Sequence, residues 1–146
     1  MPLIDVVSDA SVVLKWFHAE GEDQVQESRE LLEMYSDRRI GLYVLDLTMY
    51  EIGNALLRGR GLAADTVSVV LAALGEMVPR WVPRPVEWSR ALALAESHGL
   101  TLYDAAYGAV AERRDALLAT TDAGLLAAGL GSSPGDVLQR LPESSS

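Results

Sequence analysis

Short apolar runs alternate along this chain with longer stretches in which apolar residues recur every three or four positions. Ile4 to Ser8 predicts a short strand ending at Asp9. Ala10 to Phe17 then takes a helical pattern, with Val13, Trp16 and Phe17 on one face. From Glu22 to Arg39 a sparse stripe of Val25, Leu31, Leu32 and Tyr35 among many acids predicts an amphipathic helix with a solvated side. Gly41 to Leu45 suits a buried strand, and Thr48 to Arg58 and Ala64 to Met77 suit helices. Three prolines between Pro79 and Pro85 restrict that segment to a brief edge strand or an extended linker. Pro85 to His98 returns to helix and stops at Gly99, and Leu102 to Arg113 is a further helix. Ala116 to Thr120 reads as an apolar strand, and Asp122 to Leu130 as a final short helix. No clear strand follows Leu130, which leaves the last edge of the sheet open.

Strands alternating with helices predict an α/β fold whose parallel sheet is covered on both faces. No internal repeat, low-complexity block or interdomain linker interrupts the pattern. The expectation is a single domain over residues 1–141 and a polar, disordered tail over 142–146.

Composition narrows the chemistry. The 146 residues contain no cysteine, which excludes disulfides, thiol redox chemistry and thiolate zinc sites. Twelve Lys+Arg against 21 Asp+Glu leave a formal charge of -9, so bulk attraction to nucleic acid is not expected. Any such contact would be local and helped by metal ions. Lys15 is the only lysine. Glycine-rich phosphate loops are missing, and neither His18 nor His98 belongs to a zinc-protease motif. The first residues lack a basic segment before an apolar core, and the longest charge-free run, 123–135, is too short to span a bilayer. A soluble cytoplasmic protein with no membrane contact is expected.

Carboxylates are the remaining candidates. Asp9 follows the first strand, Glu51 lies in the first turn of the helix after the second, Asp104 is in the first turn of a late helix, and Asp122 follows the last clear strand. In an open parallel sheet, ligands gather beyond the carboxyl ends of the strands. These four acids would converge there and repel one another unless a divalent cation lay among them. Oxygen-only ligation selects Mg²⁺ or Mn²⁺. Helix capping explains the same residues: Thr48 to Glu51 and Thr101 to Asp104 resemble capping boxes, and Asp9 and Asp122 are natural N-caps. Spacing alone does not choose. Glu51, Asn54 and Arg58 share one helix face, which is either a pocket wall or an ordinary exposed surface. Ser11 and Thr120, each two residues from an acid, could orient a carboxylate or make local turns.

Residues 8–17, Ser-Asp-Ala-Ser-Val-Val-Leu-Lys-Trp-Phe, resemble the opening motif of PIN domains, especially the VapC toxins. Tyr50-Glu51-Ile52-Gly53-Asn54-Ala55-Leu56 resembles their second motif, Leu102-Tyr103-Asp104-Ala105-Ala106-Tyr107 their third, and Thr120-Thr121-Asp122 their fourth. The likeness runs in order from Ile4 to about Leu130. It implies a three-layer α/β/α sandwich and a metal-dependent endoribonuclease acting as the toxin of a toxin-antitoxin pair. Asp9, Glu51, Asp104 and Asp122 would then be the catalytic and metal-holding acids, supported by Ser11, Asn54 and Thr120. Apart from the resemblance, Arg58 is a candidate contact for RNA phosphate, with a surface ion pair as the favoured alternative. A small antitoxin and a second copy of the chain are the implied protein partners. No further acid stands shortly after Asp122, so a second metal would be held weakly. Two other readings are a PIN-like binding module without activity and a phosphoacceptor receiver domain. The latter wants adjacent acids after the first strand and a lysine after the last, and both are missing.

Overall fold

The structure, a computed structural model, describes residues 2–17 and 21–142. His18 and residues 143–146 of the expected tail lie outside them. The elements are β1 (Asp5–Ser8), α1 (Ala10–Phe17), α2 (Val25–Ser36), β2 (Gly41–Leu45), α3 (Asp46–Asn54), α4 (Ala64–Met77), β3 (Arg80–Trp81), α5 (Pro85–His98), α6 (Leu102–Arg113), β4 (Leu117–Ala119), α7 (Ala123–Ala127) and α8 (Pro134–Arg140).

The four strands lie in the order β3-β2-β1-β4, and every pairing is parallel. Chain direction across the sheet therefore reverses beside β1: the path moves outward through β2 and β3, then returns to add β4 on the other side. Alternation along each strand sends side chains to opposite faces. Val6, Leu42 and Val44 join a core with α1, α2, α3, α4 and α8, whereas Val7 and Leu118 join a second core with α5, α6 and α7. The result is the expected three-layer α/β/α sandwich.

The second layer is close-packed because α6 is built of small residues. Every position from Ala105 to Ala111 is buried, among them four alanines and Gly108. Gly99 reverses the chain between α5 and α6 with φ 66°, a left-handed conformation that costs glycine little. Across the outer end of α5, the buried Glu87 carboxylate accepts from Arg114 Nε at 2.9 Å and from its terminal nitrogen at 2.8 Å. Arg114 also donates to the Val82 carbonyl at 2.9 Å and lies 4.9 Å above the Trp81 ring, which stacks on Tyr43. This clamp secures the proline-rich segment, where β3 shrinks to two residues because proline cannot donate to a ladder.

Several element limits differ from expectation. The amphipathic helix is shorter than 22–39, because left-handed Gln24 (φ 63°) and Arg38 (φ 61°) bound it. The helix placed at 48–58 starts two residues earlier, at Asp46, and passes at Ala55 into a π-helical turn ending at Gly59. The helix placed at 122–130 covers only Ala123–Ala127, and it is not the last. Ser132 forms an isolated bridge with Ala119 in place of a further strand, and α8 follows. Ser133 caps α8 by accepting from the Asp136 amide at 3.2 Å, and Pro134 occupies its first position. Buried Val137 and Leu141 fix α8 against the first core.

Candidate active site

Parallel pairing places the β1 and β4 carboxyl ends side by side, where the strand order reverses. Asp9 leaves β1 there, its amide donating to the Ala119 carbonyl at 3.2 Å. Its side chain is buried (4% exposed) and caps α1, with Oδ1 accepting from the Val12 amide at 3.2 Å. Ser11 Oγ donates to the same oxygen at 2.6 Å, and Thr120 Oγ1 donates to Oδ2. Each hydroxyl in turn accepts from a backbone amide: Thr121 N–H reaches Ser11 Oγ at 2.9 Å, and Asp122 N–H reaches Thr120 Oγ1 at 2.9 Å. A hydroxyl that already accepts from an amide has its own proton free to give. The two supporting hydroxyls are thus set as donors toward Asp9, and they tie the β1–α1 turn to the β4–α7 turn.

Two of the other acids arrive on helix starts. Asp122 caps α7, its Oδ2 accepting from the Leu125 amide at 2.9 Å. Asp104 stands in the first turn of α6, where Thr101 Oγ1 accepts its amide at 3.1 Å. Asp9 and Asp122 therefore do cap their helices, whereas at the start of α6 the cap is Thr101 and Asp104 supplies only its amide. Glu51 is different, and the expected Thr48 to Glu51 capping box does not form. Because α3 begins at Asp46, Thr48 sits inside it, and its Oγ1 accepts from the Leu45 amide at 3.0 Å. Glu51 Oε1 instead accepts from Tyr107 Oη of α6 at 2.7 Å.

The electrostatics follow from this crowding. Burial pushes the Asp9 carboxyl up to about 6, against the lowering effect of its three hydrogen bonds, and the Asp122 charge adds to the rise. Glu51 is raised first by burial and then by the charges of Asp9, Asp104 and Asp122, with the Tyr107 bond opposing. Asp104 is raised by burial and by Asp122. Among the described residues none of the four is ion-paired to a basic side chain. All four carboxylates thus share one electrostatic neighbourhood without a balancing cation. Their donor set is oxygen alone, which fits a hard divalent ion. No three of them close into a ready-made metal cage among the described residues. The N-termini of α1 and α6 point their positive ends toward this region and favour anions there.

Two expected members stand elsewhere. Asn54 is exposed and lines a groove of about 600 Å³ with Met49, Tyr50, Leu57 and Leu71 on the α3–α4 flank. Arg58 is exposed within the π-helical turn, where the extra residue per turn breaks the face it was expected to share with Glu51. Lys15, buried in α1, pairs with Glu22 at 3.3 Å, away from the strand ends where a receiver domain needs its lysine. Tyr107 and Thr48 were not expected in the site. Tyr107 stands three residues beyond Asp104, on the same face of α6.

Comparison with known proteins places the chain. The family model described as PIN domain matches residues 6–129. Ribonuclease VapC3 of Pyrobaculum aerophilum is 36% identical over 122 residues, covering 80% of this chain and 88% of that protein. A crystal structure from Pyrobaculum aerophilum is 26% identical, with a TM-score of 0.66 and 94% of each chain covered. The structure of VapC20, a sarcin-ricin loop cleaving toxin of Mycobacterium tuberculosis, has a TM-score of 0.66 at 17% identity, covering 85% of this chain and 95% of that one. A toxin-antitoxin complex from Klebsiella pneumoniae has a TM-score of 0.63 at 15% identity, covering 88% and 97%. These matches set aside the receiver-domain reading. The chain belongs to the PIN domain family.

Proposed function

We propose that this chain is a divalent-metal-dependent endoribonuclease acting as the toxin of a VapBC-type toxin-antitoxin pair. The observation that carries the reading is the mutual electrostatic proximity of Asp9, Glu51, Asp104 and Asp122, with no basic partner among the described residues, in a chain of this family. Asp9 and Asp104 would hold the ion centrally, and Glu51 and Asp122 would complete its surroundings or orient water. Bound Mg²⁺ or Mn²⁺ supplies charge neutralisation at the phosphodiester and acidifies water for its hydrolysis.

The protein's own groups do the rest. Ser11 and Thr120 hold both oxygens of Asp9, so the carboxylate presents its remaining lone pairs in a fixed direction. The α1 and α6 N-termini favour the approach of a phosphate. Arg58, exposed beyond Glu51, would contact RNA backbone, while the acidic remainder of the surface discourages indiscriminate binding.

The partners follow the same reading: an RNA substrate, a small antitoxin and a second copy of the chain. Exposed Val82, Val86, Trp88, Leu92, Leu102 and Tyr103 on and around α5 and the start of α6 support self-association. Among the described residues no helix is long and apolar enough to cross a membrane. A cytoplasmic location accords with an RNA substrate.

RNA cleavage under Mn²⁺ or Mg²⁺ titration, comparing the wild type with Asp9→Asn and Asp104→Asn, tests the proposal. Loss of cleavage with the fold retained is expected. Variants that melt early yet still cleave would sink it.

A further inference from the structure

Glu51 lies near the middle of α3, where no helix-end amide is available to hold it, yet one of its oxygens is engaged. Its partner, Tyr107 Oη, is 2.7 Å away, and Tyr107 is 1% exposed. The same phenol oxygen is 2.6 Å from Thr48 Oγ1, which is fully buried. Thr48 Oγ1 accepts from the Leu45 amide at 3.0 Å. Hydrogen-bond chemistry gives this chain a direction. An ionised carboxylate only accepts, so Tyr107 must donate to Glu51. A phenol has one proton, so Thr48 must be the donor to Tyr107. The Leu45 amide, which can only donate, meets the remaining need of Thr48. The sequence Leu45 N–H, Thr48, Tyr107, Glu51 therefore runs one way from the end of β2 to the acid.

We propose that Tyr107, seated by Thr48, is a positioning residue that fixes the Glu51 carboxylate for metal binding. The inference rests on the metal-dependent nuclease reading. Glutamate has three rotatable side-chain bonds, and an unanchored one must be immobilised when an ion binds. Here the phenol occupies Oε1 beforehand and leaves Oε2 for the cation. Tyr107 also stands one helical turn from Asp104 on α6, so the relay sets Glu51 of one helical layer against Asp104 of the other. A phenylalanine in place of Tyr107 would fill the same buried space and leave both oxygens of Glu51 unanchored.

Binding of Mn²⁺ alone to the full chain, read by the loss of free-ion paramagnetic resonance signal, tests this without RNA. Tyr107→Phe is expected to weaken Mn²⁺ about 10–100-fold and to lower kcat for RNA with KM unchanged, since buried Tyr107 cannot touch RNA. Thr48→Val should weaken Mn²⁺ in the same direction and Thr48→Ser should restore it. The double variant Thr48→Val/Tyr107→Phe should bind like Tyr107→Phe, because the relay is already cut. Wild-type Mn²⁺ affinity in Tyr107→Phe, alongside loss in Glu51→Gln, would overturn the positioning role and spare the nuclease reading. Thr48→Ser as damaged as Thr48→Val would also overturn it, since the hydroxyl would not be what matters. Absence of Mn²⁺ binding by the wild type would overturn both.

Discussion

Thr120 and Asp9, 111 positions apart, meet across the junction of β4 and β1, with the Thr120 hydroxyl donating to Asp9 Oδ2. The Asp122 amide accounts for the other side of that hydroxyl, so the bond has a fixed direction. Replacing Thr120 by valine keeps its shape and leaves a buried carboxylate oxygen and a backbone amide without this partner. A loss of about 1–3 kcal/mol in denaturant unfolding is expected. Thr120→Ser should recover most of it.

The Asp9 carboxyl gives the metal-free protein a characteristic pH dependence. Its pKa is about 6 in the folded chain against 3.8 for a free side chain, so the folded state binds the proton more tightly. The associated stability is complete below the lower value and is lost as pH rises through the upper one. Melting in a chelator should therefore shift in favour of Asp9→Asn, relative to the wild type, between about pH 4 and about pH 7. Mn²⁺ should recover stability at the upper end for the wild type only. A constant difference between the two proteins would show that burial of this charge is not the cause.

The Glu87–Arg114 clamp should behave in the opposite sense. Bonding to Arg114 holds the Glu87 carboxyl below its ordinary value, so this contribution is present above the unfolded pKa and is lost on acidification. Arg114→Met leaves Glu87 buried without its partner and should cost about 3–5 kcal/mol at neutral pH. Mn²⁺ affinity should not change, since no hydrogen bond joins the clamp to the four acids among the described residues. A matching loss of metal binding would show that the two regions are coupled.

Gly131 approaches the site from the far edge of the sheet. A Cβ there would stand 2.8 Å from Thr120 Cγ2 and 3.0 Å from Leu118 Cγ. The chain cannot draw back easily, because the neighbouring Ser132 exchanges backbone bonds of 2.9 Å with Leu118 and Thr120. Gly131→Ala should destabilise by about 1–3 kcal/mol through overpacking and weaken Mn²⁺ by displacing Thr120. Gly59→Ala, with open space around its Cβ, should leave both properties unchanged. Equal behaviour of the two variants in unfolding and Mn²⁺ titration would refute the contact argument.

The layered architecture was legible because Val6, Val7, Leu42, Val44 and Leu118 sit in compact apolar runs, each followed by a helical stripe. The places of Asp9, Asp104 and Asp122 were legible because each follows a strand or opens a helix, where a parallel sheet gathers ligands, whereas Glu51 stands near the middle of α3. Their capping role was equally legible, and Asp9 and Asp122 do cap α1 and α7. The Thr48–Tyr107–Glu51 relay was not, since it joins residues 56 and 59 positions apart and no local spacing encodes such a contact. The π-helical turn at Ala55 to Gly59 leaves no periodic mark in the sequence, so the α-helical spacing from Glu51 to Arg58 did not reveal it. The helix α8 did carry a start signal in Ser133-Pro134, hidden in a run of glycine and serine that reads as loop.

The position of β4 has a consequence for the order in which the four acids are brought together. During synthesis, Asp9 and Ser11 emerge first, and β2 can pair with β1 long before residues 117–122 exist. Until those residues are made, Asp9 lacks Thr120, Ser11 lacks the Thr121 amide, and Asp122 is missing altogether. A nascent chain held before that point therefore carries three of the four acids without the junction that organises them. The hydrogen-bonded junction that seats Asp9 forms only once the last strand has been made.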